Sequence, residues 1–228
     1  MNKSISQLLI FICFCHIASG QKNELPNSLN LGFDIASPIG KLIAPGWTNF
    51  EMSITAGSFK NILFTVEAGL MDFSMSKKDS VKGYNYIAKG NYFKFGPDYN
   101  LFKRNLPGEQ NLVYFGLRYG FSKTSFHADN ILIQDTIWTP RTASLTEKTI
   151  SAHWIEFAAG IKVQFYKHFA MGWSARYKLL ISPRKGTDNP YYISGYGKGS
   201  ENKSFGFTYS LYFTLPLNSG SRNILNER

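Results

Sequence analysis

Eight segments of the chain alternate apolar and polar residues with a period of two, which predicts β-strands with one apolar and one polar face. The fifth segment is the clearest, because Val113 and Phe115 fall on one side while Gly116 and Arg118 fall on the other. Pro97 lies inside the fourth segment, where the loss of a ladder donor is compatible with a bulge. The predicted strands cover residues 29–35, 50–59, 62–75, 91–102, 111–126, 151–166, 170–182 and 204–215.

Every predicted strand carries a glycine on its polar side, and this observation indicates which face points outward. Strand positions that face water favour Thr, Lys or Gln over glycine. The crowded interior of a small closed barrel instead favours small residues beside large ones. We therefore predict that the polar faces line a narrow lumen and that the apolar faces contact lipid; a soluble barrel with the reverse orientation is the alternative. The glycines are Gly32, Gly57, Gly69, Gly96, Gly116, Gly120, Gly160, Gly172 and Gly206.

The connections between the predicted strands alternate between long and short. In chain order they cover residues 36–49, 60–61, 76–90, 105–110, 127–150, 167–169 and 183–203. An eight-stranded barrel with both termini on the periplasmic side needs four longer outer loops and three short turns in this order. The predicted fold class is all-β: an eight-stranded antiparallel up-and-down transmembrane β-barrel that follows an N-terminal signal peptide.

The first twenty residues have the features of a secretory signal. Lys3 is their only charge, an apolar run covers residues 8–15, and small residues 18–20 precede an expected cleavage before Gln21. The apolar run is too short to span a bilayer comfortably. We therefore divide the chain into a signal peptide 1–20, a short segment 21–27, a barrel domain 28–215 and a C-terminal tail 216–228.

The mature chain is expected to be basic and free of cysteine. Cys13 and Cys15 lie in the signal segment, so no disulfide, thiol nucleophile or cysteine metal site is predicted, and no cofactor. Removing Lys3 from the 25 Lys and Arg residues leaves 24 against 15 Asp and Glu residues, a net charge of about +9. A secreted chain without a basic helix is not expected to bind nucleic acid. Its basic loops instead predict contact with phosphates of lipopolysaccharide or of lipid headgroups.

Three short stretches resemble a known family. They are Tyr114–Ser122, Trp154–Glu156 and Gly172–Arg176. Together with the signal peptide, they are similar to an uncharacterised family of small outer-membrane β-barrel proteins from Bacteroidota, a domain of unknown function. The resemblance extends over essentially the whole mature chain and implies a barrel in the outer membrane. The family carries no assigned activity, so the resemblance implies no catalytic residue.

Charged residues on the polar faces are predicted to pair inside the lumen, because a charge in a narrow barrel is costly unless it is paired. Glu67, Arg118, Glu156 and Arg176 form the predicted network, in which Glu156 contacts Arg118, Arg176 or both. Arginine suits this role because its planar fork binds carboxylates bidentately. The network would hold the lumen shut; a gated ion or proton path and a glycosidase-like carboxylate pair are alternatives. Further charges are expected nearer the barrel ends: Asp34, Glu51, Lys94, Asp98, Lys162 and Lys178.

The predicted outer loops contain two further kinds of candidate site. One loop is rich in Tyr and Gly, and its residues Tyr191, Tyr192 and Tyr196 suit the binding of a sugar or protein surface, or packing on the barrel rim. Ser80 and Thr136 occur in short patterns typical of O-glycosylation in this bacterial group. Each of these remains a hypothesis about a loop rather than about the barrel wall.

No catalytic group is predicted. Ser125, His127 and Asp129 lie close together in sequence, but the elbow or helix that usually surrounds a catalytic triad is missing. An eight-stranded barrel is filled by side chains, so an open porin is not expected. The predicted function is a structural or interaction protein of the cell envelope, with outer-membrane lipid and another envelope protein as candidate partners. A ligand-binding barrel is the alternative, followed by a membrane enzyme or a soluble periplasmic barrel.

Overall fold

A computed structural model shows eight long strands that close into a barrel. It describes residues 28–37, 46–59, 61–77, 83–101, 111–133, 141–181 and 190–217. The strands are β1 Ser28–Asp34, β2 Trp47–Phe59, β3 Ile62–Lys77, β4 Tyr84–Asn100, β5 Leu112–Ile133, β6 Arg141–Tyr166, β7 Phe169–Leu180, β8 Tyr192–Ile193, β9 Gly197–Lys198 and β10 Lys203–Pro216. The short strands β8 and β9 pair only with each other, and β1 pairs with β10 to close the ring of the other eight. The predicted antiparallel up-and-down order of eight strands is confirmed.

The two faces of the barrel wall differ as the alternation predicted. Phe115 is 50% exposed and Phe207 is 74% exposed on the outside, whereas Glu67, Arg118 and Glu156 are buried inside. The apolar faces therefore point outward and the charged faces line the lumen. Within the described part of the chain, no helix is long and apolar enough to cross a membrane.

The strands extend further than predicted at the end of the barrel that carries the long connections, which we call the outer end. β4 begins at Tyr84 instead of 91, β5 runs to Ile133 instead of 126, and β6 begins at Arg141 instead of 151. The predicted loops 76–90 and 127–150 were therefore wrong over most of their length. The outer parts of β3–β6 form a four-stranded region, the outer extension (residues 71–77, 84–91, 122–133 and 141–152).

The inward face of the outer extension is apolar, and this explains the error in the predicted boundaries. Tyr86, Ala88, Phe126 and Ala128 are buried there as one cluster. Polar residues line the lumen lower in the barrel, so the sense of the alternation reverses while the strands continue. A reversal of this kind resembles the end of a strand when only the sequence is read.

Pro97 does not produce the bulge considered from the sequence. It lies opposite Phe64 on β3, and the register between β4 and β5 is the same on both sides of it. The side chain points outward, and the cost is limited to the missing ladder donor.

Close approach of large rings accounts for glycine at several inward positions. A Cβ atom at Gly120 would lie 2.1 Å from the Trp154 ring, and one at Gly69 would lie 2.2 Å from the Tyr92 ring. Two glycines are different, because a Cβ atom at Gly57 or Gly206 would meet its nearest neighbour at an ordinary 3.5 Å. Crowding thus requires glycine at some inward positions and not at others.

Several predictions fall on parts of the chain that the structure does not describe. The signal peptide 1–20 and the segment 21–27 lie outside the described residues, as do residues 218–228 of the tail. The glycosylation candidates Ser80 and Thr136 also lie outside them. These assignments remain predictions from the sequence.

Candidate functional site

A layer of charged side chains crosses the lumen near its middle. Each of these residues occupies an inward position because strand alternation places the polar residue of each pair inside the barrel. All of them are at least nine-tenths buried. They are Glu51 on β2, Glu67 on β3, Lys94 and Asp98 on β4, Arg118 on β5, Glu156 on β6 and Arg176 on β7.

Glu67 is the centre of this layer. Its carboxylate accepts two hydrogen bonds from Arg176, with Nη1···Oε2 at 2.7 Å and Nη2···Oε1 at 3.1 Å. The ammonium group of Lys94 also contacts Glu67, and Nε of Arg118 lies 3.4 Å from Oε1. One carboxylate therefore holds three cations that come from three different strands.

Glu51 and Glu156 complete the charge balance around the same cations. Nη1 of Arg176 lies 3.0 Å from Glu51 Oε1 and 3.2 Å from Glu156 Oε1. Nζ of Lys94 lies 2.9 Å from Glu51 Oε2 and 3.7 Å from Glu156 Oε1. Glu156 is thus closer to Arg176 than to Arg118, whose Nη1 lies 3.9 Å away.

The structure places the four predicted network residues together, and it changes the role of three others. Glu51 and Lys94 were expected nearer the barrel ends, but both belong to the centre of the layer. Asp98 also joins it, because Arg118 Nη2 donates to Asp98 Oδ2 at 2.9 Å. The Thr65 hydroxyl donates to the same oxygen at 2.6 Å. The alternation in the sequence predicted that Lys94 points inward, but its height in the lumen depends on the register between strands.

Aromatic side chains cover the layer on its outer side. The Tyr92 hydroxyl donates to Glu51 Oε2 at 2.7 Å, and Trp154 Nε1 donates to Glu156 Oε2 at 3.4 Å. Tyr196 packs on Trp154 with ring centroids 6.0 Å apart. These rings are buried and separate the charges from the outer mouth.

A second polar group fills the lumen on the inner side of the layer. Lys162 donates to Asn30 Oδ1, and the Thr214 hydroxyl donates to the same oxygen at 2.6 Å. Nζ of Lys162 lies 5.1 Å from the centre of the Tyr212 ring. The lumen is therefore filled by side chains above and below the charged layer, as expected for eight strands.

A short hairpin, the lid (residues 190–199, containing β8 and β9), lies in the outer mouth. Its Ser194 amide donates to Thr124 Oγ1 at 3.0 Å, and Nζ of Lys178 donates to the Gly195 carbonyl at 2.7 Å. Gly195 has a φ of +74°, and a Cβ atom there would meet the Tyr92 ring at 2.4 Å. The lid contacts inward side chains from opposite parts of the wall and thereby closes the mouth.

The three tyrosines predicted as a loop binding site are placed in different environments. Tyr191 is 46% exposed and Tyr192 is half-buried, whereas Tyr196 is 1% exposed and faces Trp154. Of the two alternatives left open for this loop, binding at the loop surface does not fit Tyr196, whose burial corresponds to packing on the barrel. Tyr196 is buried because the loop folds back into the barrel instead of extending away from it.

Tyr191 and Tyr192 form an aromatic rim with two residues that the sequence analysis missed, Trp47 and Phe73. Tyr192 lies 4.7 Å from Trp47 and 4.9 Å from Phe73, measured between ring centroids. Tyr191 stacks on Phe73 at 6.1 Å. Burial raises the pKa of Tyr192, so its hydroxyl is neutral at physiological pH. The rim residues come from β2, β3 and the lid, and only the register brings them together.

Ser125, His127 and Asp129 all lie on β5 instead of at the start of a loop. The Ser125 hydroxyl is hydrogen-bonded to Thr149 Oγ1 at 2.7 Å. Nε2 of His127 lies 3.9 Å from Asp129 Oδ2. The hydroxyl of Ser125 is therefore bonded to the neighbouring strand β6. In the same described ranges, no three His, Cys, Asp or Glu side chains are arranged to hold a metal ion.

The comparison with protein families identifies the chain over nearly all of its length. The model of a family described as a domain of unknown function (DUF6048) matches residues 1–219. The chain belongs to the DUF6048 family. No curated protein matches the DUF6048 chain.

Solved structures similar to the DUF6048 chain include proteins from two bacteria. The N-terminal β-barrel domain of Pseudomonas aeruginosa OprF is 11% identical, and the match covers 84% of this chain and 100% of that one with a TM-score of 0.40. Ail, the attachment invasion locus protein of Yersinia pestis, solved with the heparin analogue sucrose octasulfate, is 9% identical over 82% and 96% of the two chains (TM-score 0.40). A second structure of Ail is 12% identical over 82% and 95% (TM-score 0.38).

Proposed function

We propose that the DUF6048 chain is a closed β-barrel of the outer membrane that acts as a structural or interaction protein of the cell envelope. A cleaved signal peptide would deliver it across the inner membrane. A single observation carries this proposal: the wall is apolar outside and charged inside at the same height. The Bacteroidota origin implied by the family resemblance remains a prediction.

The height of the outer apolar surface supports a membrane-spanning barrel. On β5 the outward residues from Val113 to Phe121 are apolar or aromatic, and the next outward residue is Lys123. On β3 the corresponding stretch ends at Leu70, followed by Asp72. Nine residues at about 3.3 Å each, tilted by about 40°, span about 23 Å, which is close to the height of the apolar band of such barrels.

The filled lumen supports a barrel that does not conduct ions. The charged layer, the rings above it and the lid place buried side chains at successive heights of the described lumen. We expect the purified protein to shift its gel mobility on boiling and to give no steady conductance in planar bilayers. Recovery in the periplasmic fraction without a mobility shift would contradict the membrane location. Steady single-channel currents would contradict the closed lumen.

The outer extension and the lid are the parts that would meet a partner outside the membrane. We propose another envelope protein as the partner, because these strands hold a rigid surface above the apolar band. Cross-linking in intact cells from cysteines introduced at Thr146 or Ser144, which are exposed on β6, would capture such a protein. Cysteines at Lys167, in the opposite turn, serve as the control. A partner captured only from the Lys167 position would contradict this orientation.

The aromatic rim favours a second candidate function, the binding of a glycan. Stacked aromatic rings that are held in place offer flat apolar surfaces of the kind that sugar rings contact. If the rim binds a glycan, Trp47→Ala should abolish binding on an array of bacterial polysaccharides, while Trp173→Ala on the lipid-facing wall should not. Equal binding by both variants would rule out the rim as the site.

A further inference from the structure

A groove of about 750 Å³ lies on the outside of the barrel, where the apolar wall gives way to the outer extension. Strand register places its residues in two rows that run across β2–β5. The lower row is Phe50, Leu70, Asn91 and Lys123. The upper row is Thr48, Asp72, Lys89 and Ser125. Glu147 on β6 completes the lining.

The groove crosses from the apolar band to a polar surface. Leu70 is 63% exposed and Phe50 is 43% exposed, and both continue the outward apolar residues of their strands. The residues two positions further toward the outer end are Asp72 and Thr48. If the barrel spans the membrane as proposed, acyl chains reach the groove at Phe50 and Leu70, and headgroups reach its polar residues.

The charges in the groove are balanced in sign. Lys89 and Asp72 form an ion pair, with Nζ 3.0 Å from Oδ2. Lys123 and Glu147 are exposed, and neither has an ion-pair partner among the residues that the structure describes. The groove thus offers one available cation and one available carboxylate beside an internal pair.

We propose that this groove binds a phospholipid whose headgroup carries a phosphate and a primary ammonium group. Lys123 contacts the phosphate, Glu147 accepts hydrogen bonds from the ammonium group, and Phe50 and Leu70 contact an acyl chain. The proposal rests on the proposed membrane location. A headgroup with negative charge alone fits less well, because Asp72 and Glu147 would repel it.

The spacing of the two charged residues is compatible with such a headgroup. Lys123 lies opposite Ser151 in the register, and Glu147 is four residues from Ser151 along β6. Four residues of strand correspond to about 13 Å, a distance that two long side chains and a headgroup between them can bridge. Asn91, in the same row as Lys123, adds a hydrogen-bond donor beside the phosphate position.

The test measures lipid retention by the folded protein with native mass spectrometry. The full-length protein in detergent is titrated with phosphatidylethanolamine, with phosphatidylcholine, whose quaternary ammonium cannot donate a hydrogen bond, and with anionic phosphatidylglycerol. We expect phosphatidylethanolamine to bind at least about fivefold more tightly than either of the others, because phosphatidylcholine cannot donate hydrogen bonds to Glu147 and phosphatidylglycerol has no cation for it. Equal retention of the three lipids, or a preference for phosphatidylglycerol, would overturn the proposal.

Matched variants assign the binding to the groove. Glu147→Gln should remove the preference for phosphatidylethanolamine over phosphatidylcholine, and Lys123→Gln should weaken the binding of phosphatidylethanolamine. Lys167→Gln, at an exposed lysine in the turn at the other end, should leave both unchanged. If Lys123→Gln behaves as Lys167→Gln does, the lipid binds elsewhere and the proposal fails. Each sample is checked for heat-modifiable mobility. A folded barrel without lipid preference refutes only the groove, whereas a protein that never folds as a barrel refutes the proposed function.

Discussion

Replacing Glu67 by glutamine tests whether one buried carboxylate organises the lumen. Glutamine keeps the size of the side chain but removes the charge that Arg176, Lys94 and Arg118 share. The cations then retain contacts with the remaining carboxylates, among them Glu51 at 3.0 Å from Arg176. Three buried cations would therefore be only partly compensated.

The expected loss of stability follows from the geometry and the burial of this group. Each contact near 3 Å corresponds to an attraction of about 5 kcal/mol at an effective dielectric constant of about 20. Much of this is offset, because Glu67 no longer needs to be desolvated and the neighbouring carboxylates can move closer. Removing one partner of a buried ion pair typically costs about 3–5 kcal/mol. We expect the free energy of unfolding of Glu67→Gln to fall by this amount.

The assay is a urea titration of the protein folded in lipid vesicles, followed by tryptophan fluorescence and by gel mobility without boiling. Glu201→Gln is the control, because Glu201 forms an exposed pair with Lys198 at 3.6 Å. Such a surface pair contributes at most about 1 kcal/mol. If Glu67→Gln loses no more stability than Glu201→Gln, the lumen is wet enough to screen its charges, and the closed network is refuted.

Three further predictions test crowding, orientation and the lid. Gly120→Ala should lower the free energy of unfolding by about 1–3 kcal/mol, because the new methyl group collides with a buried indole ring. Gly206→Ala should leave the free energy of unfolding unchanged. Equal effects of the two variants in the urea titration would contradict the crowded lumen. Leu117→Lys, at the middle of the apolar band, should cost about 2–4 kcal/mol in vesicles, and Ser125→Lys above the band should cost much less. Lys178→Met should speed hydrogen exchange of the lid amides about tenfold or more, because it removes the charged donor to the Gly195 carbonyl. Unchanged exchange would show that the lid is held by packing alone.

Much of the wall could be predicted from the sequence because alternation is a local property. Each residue faces opposite to its neighbour in a strand, so Phe115 and Arg118 were assigned to opposite faces without any knowledge of their partners. Glycine on the polar faces indicated which side is crowded. These two patterns predicted the number of strands and the charged lumen, and the alternating lengths of the connections predicted the strand order.

The tertiary structure decided which charges meet and where the strands end. Glu67, predicted only as a member of the network, is its centre, and Lys94 lies in the middle of the lumen, because strand tilt and register set the height of each side chain. The outer extension was missed because an inward apolar surface at the mouth reverses the alternation, and the lid was missed because its loop folds back into the barrel. The alternation of apolar and polar residues predicts only which side of its own strand each residue faces. The height of a residue in the barrel and the covering of its mouth depend on contacts between distant segments, and these are determined only when the ring closes.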